Sequence, residues 1–269
     1  MTAVGDRWTG GDDYDAYVGR WSRGVAAQFV DWLEIPPARR WVDVGCGTGA
    51  LAATILARAA PESVVGVDPS AAFVAHAASA IADPRARFQE GGAASLPLED
   101  HWAAAVASGL VLNFVADLGA ALREMVRVAQ QRAIVAGYVW DYAGEMQLIR
   151  RFWDAAVDLD PTAAAKDEGV RFPICAPEPL RHAFEGAGLE AVEVRPIEVP
   201  TVFREFDDYW APFLTGVGPA PGYAAGLDEA SRNRLRERLR ATLPTKPDGS
   251  IHLVARAWAV RGQTPEAPA

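Results

Sequence analysis

Between residues 41 and 140 the chain alternates two hydrophobic rhythms. Short continuous apolar runs predict strands at 41–45, 63–68, 86–90, 102–107 and 132–140, while apolar positions recurring every three to four residues predict helices at 49–59, 70–82 and 117–129. Upstream, Val25, Phe29, Val30 and Leu33 stand at helical spacing behind a capping Ser22, and Pro36-Pro37 stops that helix, which spans 22–34. Strands that alternate with helices predict an α/β protein with a parallel sheet covered on both faces.

After Trp140 the rhythm changes. Met146, Ile149, Phe152, Trp153, Ala156 and Val157 form an amphipathic stretch inside an insertion spanning 141–175. A helix over 177–188 and a strand over 190–199 follow. A second insertion, 201–246, holds Phe203, Phe206, Tyr209, Trp210 and Phe213, then a charged helix near 227–241. The run from Ile251 to Val260 is a seventh strand, and 263–269 reads as a flexible tail. Insertions at the carboxyl edge of a parallel sheet form lids, so the chain reads as one domain over 1–269 with two cap insertions. No internal repeat is visible.

Composition narrows the function classes. Of 269 residues, 50% are hydrophobic and 23% charged, an ordinary globular balance. The net charge of −9 disfavours nucleic acid as partner, because phosphate binding relies on clustered cations. The arginines between Arg232 and Arg240 are interrupted by Glu237 and suit a solvated helix face. Cys46 and Cys175 offer neither a disulfide framework nor metal spacing. No segment reads as a signal peptide, and none approaches the ~20 apolar residues that span a bilayer. These features predict a soluble cytoplasmic protein without metal or membrane partner, a monomer or homodimer.

The most informative stretch is Val42-Asp43-Val44-Gly45-Cys46-Gly47-Thr48-Gly49-Ala50, three alternating glycines between a strand and a helix. Glycines there let the backbone pass against a ligand where a Cβ would intrude. A second acid, Asp68, ends the next strand, where a carboxylate accepts hydrogen bonds from ribose hydroxyls. The loop satisfies both the dinucleotide pattern G-x-G-x-x-[GA] and the G-x-G-x-G of S-adenosylmethionine (SAM) sites. Asp43 favours the second, since a carboxylate beside a pyrophosphate is repulsive and one beside the SAM ammonium is attractive.

The glycine stretch followed by Val64-Val65-Gly66-Val67-Asp68-Pro69-Ser70 resembles the first motifs of class I SAM-dependent methyltransferases, closest to the branch of ubiquinone/menaquinone C-methyltransferase-like proteins. Gly91-Gly92-Ala93-Ala94-Ser95-Leu96-Pro97-Leu98, Ser108 to Phe114 and Glu124-Met125-Val126-Arg127-Val128 extend it over roughly 14–140. The resemblance implies a Rossmann-like, seven-stranded, mostly parallel sheet whose last strand inserts antiparallel between strands five and six. It places the backbone of Gly45, Cys46 and Gly47 against the methionyl part of SAM, Asp68 on the ribose, and Gly49, Pro69, Gly92, Ala93 and Ser108 around the rest of the cofactor. Two departures stand out. Gly92 replaces the Asp that usually accepts from the adenine amino group, and Gln130-Gln131 replaces the Pro-Gly turn before strand five. The resemblance also makes 1–34 a lid segment, in which Tyr17, Arg20 and Trp21 meet the cofactor: an arginine between aromatics suits the SAM carboxylate, and the rings suit its sulfonium.

The implied reaction is methyl transfer from SAM to an O, N or C nucleophile. The methyl is already activated, so alignment supplies most of the catalysis, about 7–11 kcal/mol. His76, His101, His182 and His252 all fall away from the carboxyl ends of strands four and five, and read as structural or solvated. Asn113 and Asp141 follow those strands and are the catalytic candidates, Asp141 reading equally as a helix cap. Phe114, Trp140, Tyr142, Trp153, Phe206 and Trp210 are candidate acceptor contacts, which suit an apolar or aromatic small molecule. The competing readings are a non-catalytic SAM-binding regulatory module and an NAD-dependent oxidoreductase sharing the glycine loop.

Overall fold

The structure, a computed structural model, describes residues 19–216 and 218–266. Two compact units are formed by the described residues: 23–140, 174–197 and 257–266 make one, and 19–22, 141–173, 198–216 and 218–256 make the other.

The first unit is built on the sheet. The elements run α1 (Arg20–Leu33), β1 (Arg40–Val44), α2 (Ala50–Arg58), β2 (Ser63–Asp68), α3 (Ala71–Ala80), β3 (Ala86–Glu90), β4 (Ala103–Gly109), α4 (Leu118–Val128) and β5 (Ala129–Trp140). The seven strands lie in the order β3-β2-β1-β4-β5-β7-β6, where β6 is Glu190–Phe203 and β7 is Ile251–Gln263. Strands β1 to β5 pair in parallel, and β7 runs antiparallel to β5 with Trp140 opposite Ala257. The expected Rossmann-like sheet with its inserted last strand is therefore present. Val42, Val64, Val106 and Val135 are wholly buried, which is why the central strands read as unbroken apolar runs.

Strand order reverses between β1 and β4, and the crevice at the carboxyl end of such a switch point is where α/β sheets bind ligands. Ser108 spans it: the buried hydroxyl at the end of β4 donates to Val44 O at the end of β1, at 2.8 Å.

Two elements differ from the sequence reading. Strand β6 continues to Phe203, through Pro196 and Pro200, instead of ending at 199. Both prolines are exposed, and β6 is the sheet's edge, the place in a sheet where proline is tolerated. At the altered turn before β5, Ala103 pairs with Ala129 and Ala105 with Ile134, so four residues of β5 stand opposite Ala104. Arg132 takes a left-handed φ of 57° within this bulge. Thr264 holds it closed, its Oγ1 donating to Gln130 O at 2.5 Å and accepting from Ala133 N at 2.9 Å.

The second unit has its own core. It contains α5 (Gln147–Leu159), α6 (Glu168–Arg171), α8 (Phe206–Trp210), α9 (Pro219–Gly226) and α10 (Glu229–Thr242); α7 (Pro177–Gly186) belongs to the first unit. Phe152 stacks on Phe213 with ring centroids 4.5 Å apart, and Trp153 and Tyr209 are fully buried beside them. Tyr209 Oη donates to Leu148 O at 2.9 Å.

Candidate functional site

The loop after β1 is tied to β2 by Gly45 N and Cys46 N, which both donate to Val67 O, at 2.7 and 3.1 Å. All three glycines are left-handed, with φ of 72° at Gly45, 50° at Gly47 and 89° at Gly49, so the loop's path itself demands glycine. The space beside them differs. A Cβ on Gly45 would lie 2.5 Å from Val111 Cγ1, and one on Gly49 2.6 Å from Ile81 Cδ1. A Cβ on Gly47 would meet nothing within 4 Å. The sequence argument that each glycine clears room for a ligand is corrected at two positions, where protein side chains fill that room.

Asp68 organises the turn. Its Oδ2 accepts from Gly47 N at 3.0 Å and its Oδ1 from Ser70 N at 2.9 Å. Each oxygen keeps a lone pair free, and Asp68 is buried. Pro69 beside it is exposed, as is Gly92, whose Cβ position is open. Ala93 is half-buried in the same loop.

Asp43 is the anomaly. It is 1% exposed, and neither carboxylate oxygen has a hydrogen bond of ordinary geometry. Burial pushes its pKa up to about 7; the nearby Ala52 N–H opposes this and the negative Asp68 adds to it. A buried acid without a partner costs stability, and proteins keep such groups where a ligand completes them. A ligand cation fits this acid, as the ammonium of SAM would, whereas a phosphate does not. Cys46, next in the loop, is buried with its thiol held well above its ordinary pKa, first by burial and then by Asp43 and Asp68, so it is not a nucleophile.

Glu124 and Arg127 of α4 do work that their place in the resemblance did not disclose. Glu124 Oε2 accepts from Leu96 N at 2.8 Å, while Arg127 donates to Leu96 O, Leu98 O and Asp100 Oδ1 at 3.0, 2.9 and 2.6 Å. Together they clamp the segment that follows Gly92 and Ala93. Arg127→Ala is expected to lower stability by about 2 kcal/mol, read by denaturant unfolding, because it strips two backbone carbonyls of their donor.

Among the catalytic candidates, Asn113 lies in a short 3-10 turn (Leu112–Phe114) after β4, its Nδ2 buried without a hydrogen-bond partner. Phe114 beside it is 38% exposed. Asp141 belongs to the second unit and is engaged: Oδ2 accepts from Glu145 N at 2.9 Å and lies 3.6 Å from Arg256 Nη1. It holds the turn before α5 without capping that helix, whose N-cap is Met146. Trp140 is buried in β5, and Tyr142 is buried beside Phe172, with centroids 5.9 Å apart. Trp153, Phe206 and Trp210 are buried as well. Trp153 Nε1 donates to the buried Glu168, and Phe206 lies under Arg240, whose guanidinium carbon is 4.1 Å from the ring centroid. These three rings serve the second unit's core. Of the four histidines, His101 precedes β4, His76 and His252 are exposed, and His182 lies on α7.

Tyr17 lies outside the described residues. Arg20 and Trp21 open α1 within the second unit, and Arg20 Nη1 donates to Asp208 Oδ1 at 3.3 Å. Arg20 Nε and Nη2 and Trp21 Nε1 are buried without hydrogen-bond partners, as is Thr201 Oγ1 on β6. Asp208 and Thr201 were not singled out from sequence. An acid in the first turn of a short helix gives no signal beyond dipole complementarity, and a strand threonine gives none.

Comparison with known proteins agrees with this geometry. Residues 42–136 match the methyltransferase domain family. The chain is 38% identical over 105 residues to a demethylmenaquinone methyltransferase of Roseiflexus sp. (strain RS-1), covering 39% of this chain and 44% of that one. It is 35% identical over 101 residues to a 2-phytyl-1,4-naphtoquinone methyltransferase of Thermosynechococcus vestitus, covering 37% and 45%. The chain thus spans less than half the length of these curated relatives. Phosphoethanolamine N-methyltransferase 2 of Haemonchus contortus, solved with S-adenosyl-L-methionine, superposes with a TM-score of 0.59 over 98% of this chain and 61% of its own, at 14% identity. That likeness is one of fold.

Proposed function

We propose, from the match of residues 42–136 to the methyltransferase domain family, that the chain transfers the methyl group of SAM to a small acceptor bearing an aromatic ring. Bound SAM supplies an electrophilic methyl on a sulfonium. The observation that carries the reading is Asp43, a buried carboxylate with no hydrogen-bond partner beneath a loop whose Gly47 faces open space.

In this reading Asp43 receives the cofactor's ammonium, and the loop backbone at Cys46 and Gly47 lies against its methionyl chain, Gly47 alone leaving open space for it. Asp68 offers its remaining lone pairs to the ribose hydroxyls. Pro69, Gly92 and Ala93 border the adenine through backbone and apolar contact, and Ser108 acts by fixing the ends of β1 and β4. Asn113 turns its unpartnered amide to the acceptor, and Phe114 its exposed ring.

The two quinone methyltransferase relatives support a ring acceptor such as a reduced naphthoquinone, although only a part of their length is shared. Such an acceptor ionises by itself. It would release its own proton to water, so this chain's residues would only have to hold and orient it beside the donor. That suits a chain whose Asp141 is committed to Glu145 and Arg256. Two free cysteines support a cytoplasmic setting, and no helix among the described residues is long and apolar enough to cross a membrane.

Isothermal titration tests the cofactor. SAM and S-adenosylhomocysteine are expected to bind and NAD to give no heat; NAD binding with silence toward SAM would remove the proposal. Asp68→Ala is expected to weaken SAM by about 100-fold, since it loses charge-assisted bonds to ligand and loop together. Affinity left nearly intact would take Asp68 out of the ribose role. For the acceptor, S-adenosylhomocysteine release is measured with 1,4-naphthoquinol and with a saturated analogue. Equal rates would sink the aromatic-acceptor reading, and SAM binding without turnover on any acceptor would favour the regulatory one.

A further inference from the structure

The bulge at the start of β5 forms one wall of a cavity of about 580 Å³ in the first unit. The cavity lies at the amino-terminal ends of β1 and β4, the far end of the sheet from the glycine loop. Its volume suits a small organic molecule. The turn after α1 forms a second wall, and the start of β6 with the end of β7 a third. The Gln130-Gln131 sequence that departs from the usual turn therefore lines a space of its own.

Hydrogen bonds hold these walls in place. Besides the closure by Thr264, Gln263 Nε2 donates to Arg132 O at 3.0 Å. Arg261 ties the other two walls together: Nη1 donates to Trp32 O at 2.7 Å, and Nη2 to both oxygens of Glu193 at 3.2 Å. Seven described residues other than glycine have a left-handed backbone, and three of them, Glu34, Arg132 and Ala191, line this one cavity. Strain of that kind gathers where the chain is fixed around a ligand.

Two cations in the walls are uncommitted. The Arg39 guanidinium has no hydrogen bond or ion pair among the described residues. Arg132 reaches only Glu266, at 3.3 Å, and both side chains are exposed, so the pair is weak. Of the two acids in the lining, Glu193 is taken by Arg261, and Glu34 is exposed 4.0 Å from the same guanidinium. Three arginines thus face two acids, an excess of positive charge in a chain of net charge −9. The apolar part is aliphatic: Leu33 and Ala133 are buried, Ile35 and Ile134 half-buried, and no aromatic residue lines the cavity. A ring would find no partner to stack on, whereas an aliphatic body packs against these side chains.

We propose that this cavity is a second ligand site, which binds a small aliphatic anion. Arg39 and Arg132 hold its carboxylate or phosphate, and its chain lies on Ile35 and Ile134.

The test uses the full chain, with hexanoate, hexyl phosphate and hexanol as probes and calorimetry as the readout. At least one anion is expected to bind with a Kd of about 1 mM, and hexanol at least about tenfold more weakly. The tighter anion identifies the head group. Arg39 and Arg132 are exposed, so Arg39→Gln and Arg132→Gln are expected to fold with an unchanged midpoint of thermal unfolding. Each is expected to remove most of the preference for the anion and to leave the affinity for hexanol as it was. Saturating S-adenosylhomocysteine is expected to leave the anion's affinity unchanged; competition between them would place the anion in the glycine-loop crevice and overturn the proposal. A chain that binds neither anion, or a preference that both variants leave intact, overturns it too. Failure of the SAM reading would change none of these outcomes.

Discussion

Asp43→Asn is expected to make the protein more stable above pH 7 and almost unable to bind SAM. The stability half follows from linkage. A carboxyl that titrates near 7 when folded and near 3.8 when free releases its proton earlier in the unfolded chain. Stability therefore falls as pH rises between those two values, by about 4 kcal/mol in full, and stays reduced above pH 7. Asn cannot ionise, so the variant escapes that loss, less what its own unpaired amide costs. Denaturant unfolding at pH 8 is expected to show a gain of about 2 kcal/mol that disappears at pH 4, where Asp43 is neutral. The binding half has a matching signature. A ligand cation favours the ionised carboxylate, so wild-type affinity for SAM is expected to rise from pH 6 to pH 8, with a proton released on binding. Calorimetry in buffers of different ionisation enthalpy reads that proton directly. A pH-independent affinity in the wild type, or a variant that binds SAM as well, would detach Asp43 from the ammonium.

Alanine at Gly45 and at Gly47 is expected to separate folding from binding. At Gly45 the new Cβ meets Val111 at 2.5 Å and the left-handed backbone resists any side chain, so a loss of more than about 3 kcal/mol is expected in urea unfolding. At Gly47 the backbone strain of about 1 kcal/mol is the whole structural effect, because nothing lies within 4 Å of the added methyl. The open space is where the ligand's backbone contact is proposed, so Gly47→Ala is expected to fold and yet bind SAM more than about tenfold less tightly. Equal binding by Gly47→Ala and wild type would move the ligand away from this loop.

The difference between these glycines marks where sequence reasoning stops. Spacing reveals that the loop needs three glycines. It cannot reveal that Val111 and Ile81, distant in the chain, fill two of the three gaps. The same boundary recurs elsewhere. Strands β1, β2 and β4 were legible because strands buried on both faces are written as apolar runs. The strand reading of 190–199 runs through Pro196 but stops before Pro200, and only the place of β6 at the edge shows that a proline there need not end the strand. Asp141 was legible as a residue at the end of β5, but its engagement by Arg256 spans 115 residues. Trp153, Phe206 and Trp210 were legible as aromatics in insertions. Whether a ring lines a pocket or fills a core depends on what packs against it, and these fill a core.

The order of strands also bears on how the chain is made. Strand β6 is a neighbour of β7 and not of β5, so its partner in the sheet, among the described residues, leaves the ribosome after it. Until residues 251–263 emerge, both edges of β6 and the free edge of β5 offer unpaired backbone to other nascent chains. Pro196 and Pro200 remove two donors from β6 during that interval and make it a poor template for stray pairing. Strand β5 has no such protection along Ile134 to Trp140. Ribosome-bound chains halted before residue 251 are therefore expected to aggregate through β5, and chains released whole to be spared.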